Sequence, residues 1–321
     1  MGESVERRTA SAVSSLAGSS VLVVGGAGYL GRRVARTLSG PCDVTVLDDL
    51  LIGDRDAVPD SVEFVRTDVR AVDAVSEAMA DADVAFHLSA HIDARRSLRS
   101  PVETHNRIAS GTVTVLDAAR RTDTRILVGS DAAVYGDAST LPVHEDDPKR
   151  PVSPYGVAML GVDHFARLYA DRYDLPTVVL RYFTVYGPGK PTPTVVNEFV
   201  RRARTDRPLV VHGDGTQTRD FTHVDDALQA TIQAAASDAT GRAFNVGTGE
   251  RYSVSALAET VRESTDTESD VVHVDPRPGD IRHSQADISR ARQVLGYEPT
   301  VDIHEGIRSL IAADAGSSVT A

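Results

Sequence analysis

A short apolar run that leads into a glycine-rich turn constrains the fold of this chain more than any other feature. Residues 21–24 are wholly apolar, as expected for a strand buried on both faces of a parallel sheet. Gly25, Gly28 and Gly31 follow at intervals of three. Glycines at this spacing permit a tight turn into a helix and close approach of the backbone to a pyrophosphate, which the helix amides bind. We therefore predict a dinucleotide site at the start of the chain.

Strands and helices alternate along the first half of the chain. Further strand-like apolar runs lie at residues 44–47, 62–65, 84–88, 125–128 and 177–182. Helix-compatible segments separate most of them, and this alternation is typical of an α/β protein. The prediction is a Rossmann-type, doubly wound parallel sheet with a smaller C-terminal substrate-binding lobe.

The pattern changes after residue 182, where Pro and Gly become frequent. The expected organisation is a disordered tail (1–19), a cofactor domain (20–182 plus about 218–248) and a substrate lobe (183–217 and 249–321). The tail is polar and lacks the apolar core of a signal peptide. No apolar run approaches the roughly 18–20 residues of a membrane span. A single cysteine suits a reducing compartment, so we expect a cytoplasmic protein without a membrane partner.

The formal net charge of −12 argues against nucleic-acid binding, which needs a basic face. We expect no nucleic-acid partner and no metal ion. Asp48 ends the strand that follows the glycine turn, where its carboxylate can accept hydrogen bonds from both ribose hydroxyls. Its charge would repel a 2′-phosphate, so NAD is favoured over NADP; Asp49 is a competing candidate. Asp68 could bind the adenine edge or cap a helix. The expected cofactor-binding residues are Gly25, Gly28, Tyr29, Leu30, Gly31, Asp48, Asp68, Val69, Leu88, Ser89 and Ala90.

Motifs between residues 21 and 299 carry a family resemblance. Besides the glycine turn they are Val46-Leu47-Asp48, His87-Leu88-Ser89-Ala90, Ala133-Val134-Tyr135-Gly136, Pro154-Tyr155-Gly156, Arg181-Tyr182-Phe183, Tyr186-Gly187-Pro188-Gly189, Gly213-Asp214-Gly215, Arg219-Asp220-Phe221, His223-Val224-Asp225-Asp226 and Arg277-Pro278-Gly279-Asp280. Together they resemble the extended short-chain dehydrogenase/reductases, the NAD-dependent epimerases and dehydratases of nucleotide sugars.

The resemblance implies a UDP-hexose substrate and a homodimer. It places Tyr155 beside both the nicotinamide and the sugar, and it makes Arg219 and Arg277 a clamp for the nucleotide diphosphate. A guanidinium suits that task because it presents a fork of donors to phosphate oxygens. A surface ion pair is the alternative for each arginine. Further residues expected near the substrate are His91, Thr184 and Asp280, with Asp93 as an additional loop residue.

The chain departs from the family pattern at four places. Asp131 replaces a serine or threonine, with Ser130 one step earlier; Met159 replaces the lysine four residues after the tyrosine; Thr184 and Ile108 replace asparagines, with Asn106 upstream. By the resemblance, the lysine holds the nicotinamide ribose and favours tyrosinate. Without it, ionising a phenol at pH 7 costs about 4 kcal/mol. The only lysines, Lys149 and Lys190, are not expected to fill the vacant position.

Asp131 suggests a different distribution of proton-transfer roles. A carboxyl group in an apolar pocket has a raised pKa and can serve as a general acid or base. The alternative is that Asp131 only caps a turn after its strand. The predicted catalytic set is therefore Tyr155, Asp131, Ser130 and Met159, and Asp131 and Tyr155 also belong to the predicted substrate site.

Three functions remain open at this point. The first is a dehydratase that oxidises C4 transiently and loses water across C5–C6, giving a 5,6-ene or a 4-keto-6-deoxy sugar. Ala132 and Ala133 stand where ordinary 4,6-dehydratases carry acids, so it would be atypical. The departures are similar to those of the 5,6-dehydratases of tunicamycin-type antibiotic biosynthesis, which implies UDP-N-acetylglucosamine. The alternatives are a UDP-hexose 4-epimerase and a catalytically silent sugar-nucleotide-binding relative.

Overall fold

The computed structural model describes residues 2–89, 94–191, 194–277 and 280–317. Its centre is a seven-stranded parallel sheet. The strands are β1 (Ser20–Val24), β2 (Asp43–Asp48), β3 (Glu63–Arg66), β4 (Val84–His87), β5 (Arg125–Asp131), β6 (Thr177–Tyr182) and β11 (Arg242–Val246). Their spatial order is β11-β6-β5-β4-β1-β2-β3. The predicted Rossmann-type doubly wound sheet is confirmed.

Helices cover both faces of the sheet. On one face, α3 (Val72–Met79), α6 (Gly111–Thr122) and α7 (Pro154–Tyr173) pack side by side. On the other face lie α1 (Gly2–Ser15), α2 (Gly31–Leu38), α9 (Val224–Ala235) and α11 (Ser289–Leu295). Two short helices, α4 (Ala94–Arg99) and α5 (Pro101–His105), and a π-helical turn (Asn106–Ser110) precede α6. No helix in the described ranges is long and apolar enough to cross a membrane.

The remaining elements form the smaller lobe and its connections. Its helices are α8 (Val195–Ala203), α10 (Val254–Thr265) and α12 (Ile303–Ser317). Three strand pairs join them: β7 (Val185–Tyr186) with β10 (Thr222–His223), β9 (Thr218–Arg219) with β12 (Tyr252–Ser253), and β8 (Leu209–His212) with β13 (Val271–Val274). Phe199, Leu257 and Ile307 lie in an apolar core separate from that of the sheet. The residue boundaries of the two domains stay a prediction.

The prediction that residues 1–19 form a disordered tail is wrong for most of that segment. Residues Gly2–Ser15 form helix α1, which packs against α9. Ala12 and Val13 contact the main core, and Leu16 just beyond the helix is 5% exposed. Arg8 Nη1 donates to the carbonyl oxygen of Gly296 at 3.1 Å. These apolar residues recur at helical spacing, a weak amphipathic signal that the polar composition of the segment obscured.

The topology gathers the functional motifs at one edge of the sheet. All seven strands run in the same direction, so their carboxyl ends meet at that edge. The glycine turn follows β1, Asp48 ends β2, and Asp131 ends β5. Residues remote in sequence therefore line a single groove.

Candidate active site

The glycine turn forms a cradle with no room for side chains. Gly25 has φ +81°, and a Cβ on it would lie 2.6 Å from the backbone nitrogen of Ser89. A Cβ on Gly31 would collide with the carbonyl oxygen of Gly25, and one on Gly28 would lie 3.0 Å from that oxygen. Helix α2 starts at Gly31, and the side chain of its N-cap, Leu30, makes no capping hydrogen bond. Backbone amides at a helix start suit a pyrophosphate.

A cavity extends from this turn along the ends of β2 and β4. Its lining includes the predicted residues Gly25, Gly28, Asp48, Val69, Leu88 and Ser89. Asp48 Oδ2 accepts the Ala27 N–H at 3.0 Å, and Oδ1 accepts the Leu50 N–H at 2.8 Å. Burial raises the pKa of Asp48. Asp48 therefore shapes the glycine turn as well as facing the cavity.

Arg107 lines the same cavity and was not predicted from the sequence. Its Nη1 lies 3.0 Å from Asp49 Oδ2 and 3.9 Å from Asp68 Oδ2. Asp68 is bound mainly by Arg70, whose hydrogen bonds hold its pKa at about 2. Asp68 does not cap α3, because the N-cap of that helix is Ala71. The helix-cap alternative for Asp68 is thus wrong, and its contact with adenine stays a prediction.

A series of hydrogen bonds connects polar side chains at the end of β4. His87 Nε2 lies 2.9 Å from Thr112 Oγ1, and its Nδ1 lies 3.2 Å from Ser89 Oγ. Burial lowers the pKa of His87 to about 4, so the ring is neutral at pH 7. The neutral imidazole fixes the orientation of Ser89 at the cavity wall. The predicted residues Ala90, His91 and Asp93 lie outside the described residues.

Tyr155 and Asp131 meet at the end of β5. Ser153 Oγ accepts the Gly156 N–H at 3.1 Å, which caps α7 and fixes Tyr155 in its first turn. Tyr155 is 3% exposed, and its hydroxyl lies near enough to the half-buried Asp131 carboxylate for each group to shift the pKa of the other. Asp131 Oδ1 accepts the Ala133 N–H at 2.7 Å. Asp131 therefore caps the turn after its strand and lies near Tyr155.

The electrostatics of this pair oppose a tyrosinate. Burial raises the pKa of Tyr155 well above its usual range, and the neighbouring Asp131 raises it further. Burial also raises the pKa of Asp131, although the Ala133 N–H and the nearby Tyr155 hydroxyl oppose the rise. The phenol is thus a donor at neutral pH, and the carboxyl group is the more accessible proton acceptor.

Two further predicted catalytic residues, Met159 and Ser130, have surroundings that differ from those of Tyr155 and Asp131. Met159 lies one turn after Tyr155 on α7, is 2% exposed and packs into the main core. Ser130 is buried, and its Oγ has no hydrogen-bond partner among the described residues. Successive side chains of a strand point to opposite faces, so Ser130 points away from the face that Asp131 shares with Tyr155. No hydrogen bond joins the Ser130 hydroxyl to either residue, and its catalytic role stays a prediction.

The two lysines have different surroundings. Lys149 Nζ donates to the carbonyl oxygen of Glu145 at 2.5 Å. Lys190 lies above the glycine turn, with Nζ 4.5 Å from the ring centre of Tyr29. Burial lowers the pKa of Lys190 to about 8, whereas the Asp131 carboxylate acts to raise it. No ion pair joins Lys190 to Asp131 among the described residues, so the Lys190 ammonium acts on that carboxylate only at longer range.

The predicted substrate arginines lie around Asp280. Arg219 Nη2 is 2.8 Å from Asp280 Oδ1, so the ion-pair alternative applies to this arginine. Burial and the neighbouring Arg95 lower the pKa of Arg277, whereas Asp280 raises it. A diphosphate between Arg277 and Arg95 would relieve their repulsion. Sequence reasoning missed Arg95; Thr184 lies half-buried just after β6.

Comparison with known proteins decides the family. Residues 21–247 match the NAD dependent epimerase/dehydratase family. The chain belongs to that family. It is 33% identical over 303 residues to a UDP-glucose 4-epimerase of Mycolicibacterium smegmatis, covering 90% of this chain and 96% of the relative. A UDP-N-acetyl-α-D-glucosaminuronate decarboxylase of Bacillus cytotoxicus is 27% identical over 309 residues, covering 90% and 96%.

Solved structures of similar proteins agree with this assignment. A UDP-glucose 4-epimerase of Thermotoga maritima with UDP-glucose superposes with a TM-score of 0.90 at 28% identity, covering 93% of this chain and 99% of the other. That of Thermus thermophilus with NAD gives 0.86 at 30% identity with the same coverage. NAD is the cofactor of this epimerase/dehydratase, and the glycine cradle and Asp48 fit its pyrophosphate and ribose.

Asp48→Asn is expected to weaken NAD binding about tenfold and to narrow the preference for NAD over NADP. The amide loses the charge that strengthens hydrogen bonds to ribose hydroxyls and repels a 2′-phosphate. Calorimetric titration with each dinucleotide measures both effects. Asp49→Asn is the matched comparison, and a larger loss there would assign the ribose to Asp49 instead.

Proposed function

We propose that this enzyme is a nucleotide-sugar dehydratase that acts on a UDP-hexose, with UDP-N-acetylglucosamine as the first substrate to test. The observation that carries the proposal is the carboxyl group of Asp131 at the end of β5, near enough to Tyr155 for each to shift the pKa of the other. A carboxyl group with a raised pKa can hold a proton near neutral pH and release it to a leaving hydroxyl. Elimination of water needs such an acid, whereas epimerisation at C4 does not.

The protein groups distribute the protons as follows. Bound NAD supplies oxidation of C4 and the later reduction. Tyr155 takes the proton of the C4 hydroxyl and passes its own phenolic proton to the Asp131 carboxylate. The C4 ketone then acidifies the C5 proton, which passes to water, and the protonated Asp131 donates to the departing C6 hydroxyl, which leaves as water. A proton from water returns to C5 when hydride adds to C6, or to the C4 oxygen when hydride adds to C4. A 5,6-ene or a 4-keto-6-deoxy sugar results, as in the 5,6-dehydratases that the departures resemble.

A UDP-hexose 4-epimerase is the second candidate. Two relatives, from Mycolicibacterium smegmatis and Corynebacterium glutamicum, are UDP-glucose 4-epimerases with 33% and 31% identity to this chain. The matched region covers at least 93% of each relative. The proton transfer between Tyr155 and Asp131 is reversible, so it also serves oxidation and re-reduction of C4. The homodimeric state and cytoplasmic location stay predictions.

Incubation with UDP-N-acetylglucosamine or UDP-glucose in deuterated water separates the candidates. NMR and mass spectrometry of the product should show an alkene or a 4-keto-6-deoxy sugar if the enzyme is a dehydratase. A C4 epimer without solvent deuterium would support the epimerase instead. Unchanged sugar with tight binding would overturn both proposals and indicate a silent binding protein.

Arg277→Ala is expected to raise the Kd for UDP by about 10–100-fold. Charge-assisted hydrogen bonds contribute about 1.5–3 kcal/mol, and each 1.4 kcal/mol is about tenfold in affinity. Isothermal calorimetry with UDP measures the loss without requiring turnover. The exposed Arg251→Ala is the control for a change of net charge. A Kd within twofold of the parent would remove Arg277 from the diphosphate site.

A further inference from the structure

Thr112 determines which nitrogen of the His87 ring carries the hydrogen. Thr112 Oγ1 donates its one hydrogen to the carbonyl oxygen of Ile108 at 2.7 Å. His87 Nε2 lies 2.9 Å from the same Thr112 oxygen, which has only lone pairs left to offer. Nε2 therefore carries the hydrogen, and Nδ1 of the neutral ring is an acceptor. His87 and Thr112 are 3% and 1% exposed, so water does not compete for these hydrogen bonds.

The same ring sets the direction of the hydrogen bond to Ser89. Ser89 Oγ lies 3.2 Å from His87 Nδ1, and because Nδ1 is an acceptor, the serine hydroxyl is the donor. A hydroxyl has one hydrogen and two lone pairs, so Ser89 has only acceptor sites left for another partner. Ser89 is half-buried and lines the cavity beside the glycine turn. It therefore presents an acceptor to whatever occupies that part of the cavity.

Ser89 and Asp48 lie on opposite sides of the glycine turn. Strand β1 lies between β4, which precedes Ser89, and β2, which ends at Asp48. The backbone nitrogen of Ser89 lies against the turn, only 2.6 Å from where a Cβ on Gly25 would stand. A dinucleotide with its pyrophosphate on the turn and its adenosine ribose at Asp48 extends its other half across the end of β4. The nicotinamide ribose is the part of NAD that this places nearest to Ser89.

We propose that Ser89 accepts a hydrogen bond from a hydroxyl of the nicotinamide ribose, and that His87 and Thr112 are positioning residues that keep it an acceptor. A serine with a free hydrogen could equally donate to a phosphate oxygen. With its hydrogen held by Nδ1, Ser89 repels phosphate oxygens and favours a ribose hydroxyl, which can donate. The contact serves either candidate reaction, because both use bound NAD.

Binding of truncated cofactors tests the contact without requiring turnover. Ser89→Ala should raise the Kd for NAD and for ADP-ribose about 3–10-fold, as expected for the loss of one neutral hydrogen bond. The Kd for ADP, which lacks the second ribose, should stay within about twofold. Calorimetric titration of the full-length protein measures all three, and Ser61→Ala, on an exposed turn before β3, should change none of them. Equal losses for ADP and ADP-ribose would place Ser89 at the diphosphate, and no loss would remove it from the site; either result overturns the proposal.

NMR tests the role of His87 and Thr112 directly. Long-range ¹H–¹⁵N spectra of protein labelled with ¹⁵N-histidine distinguish the tautomers of its ten histidines, and His87→Gln identifies the His87 signals. The parent should show hydrogen on Nε2. Thr112→Val removes the acceptor of that hydrogen, so it should move hydrogen to Nδ1 and raise the Kd for ADP-ribose as Ser89→Ala does; Thr112→Ser should retain both parental properties. Hydrogen on Nδ1 in the parent, or an unchanged Kd for ADP-ribose in Thr112→Val, would overturn the positioning role.

Discussion

Asp131→Asn is expected to lower kcat by about 10²–10⁴-fold, the usual contribution of a positioned general acid or base. The amide cannot accept the phenolic proton of Tyr155 or hold one for the departing hydroxyl. Its oxygen can still accept the Ala133 N–H that now binds Oδ1 at 2.7 Å, so the turn after β5 should survive. Steady-state kinetics and an unfolding curve for the same variant separate the loss of chemistry from a loss of fold.

The matched control is Asp137→Asn in the same segment. Asp137 is exposed and accepts the Arg282 N–H at 3.0 Å, away from Tyr155. It should retain kcat within about twofold, as expected for a surface substitution. If Asp131→Asn behaved in the same way, Asp131 would be only the cap of the turn. Tyr155→Phe should lower kcat at least as much as Asp131→Asn, because Tyr155 is the group proposed to contact the sugar.

The second large effect is expected on stability. Asp163→Ala should lower the free energy of unfolding by about 3–5 kcal/mol, as when one partner of a buried ion pair is removed. Arg181 Nε and Nη2 bind the two oxygens of Asp163 at 3.1 and 2.8 Å, and both side chains are 0% exposed. Arg181 Nη1 also donates to Tyr135 Oη at 2.8 Å. The truncation leaves the Arg181 guanidinium in the core without its carboxylate partner. It also weakens the packing of α7, which carries Tyr155, against β6.

Urea denaturation measures this loss if the m-value is unchanged. Asp117→Ala is the comparison, since Asp117 pairs with Arg120 and Arg121 on the surface of α6 at 2.8 and 2.6 Å. Such surface pairs contribute at most about 1 kcal/mol. If Asp163→Ala also lowered the free energy of unfolding by at most about 1 kcal/mol, Arg181 would have found other partners in the core. Replacing both Asp163 and Arg181 by apolar residues should cost less than the single truncation.

The sequence was most informative where a local pattern fixes the structure. The period of the apolar runs and the glycine spacing predicted the parallel sheet and the cradle, because both depend on neighbouring residues along one segment. Asp48 was placed correctly at the end of its strand, and parallel strands bring their carboxyl ends to one edge. Strand β5 continues beyond the predicted residues 125–128 and ends at Asp131.

Side chains that meet through loops could be located only by the tertiary structure. Arg107 reaches the cofactor cavity, Arg95 lies near enough to Arg277 to lower its pKa, and Lys190 lies over the ring of Tyr29. No periodicity records these contacts, because they depend on the path of a loop and on the surface against which it packs. The sequence by itself determined the fold, the NAD cradle and the absence of a lysine at position 159. The tertiary structure decided that Lys190 lies over Tyr29 beside the glycine turn, because two arginines of α2 hold its loop there.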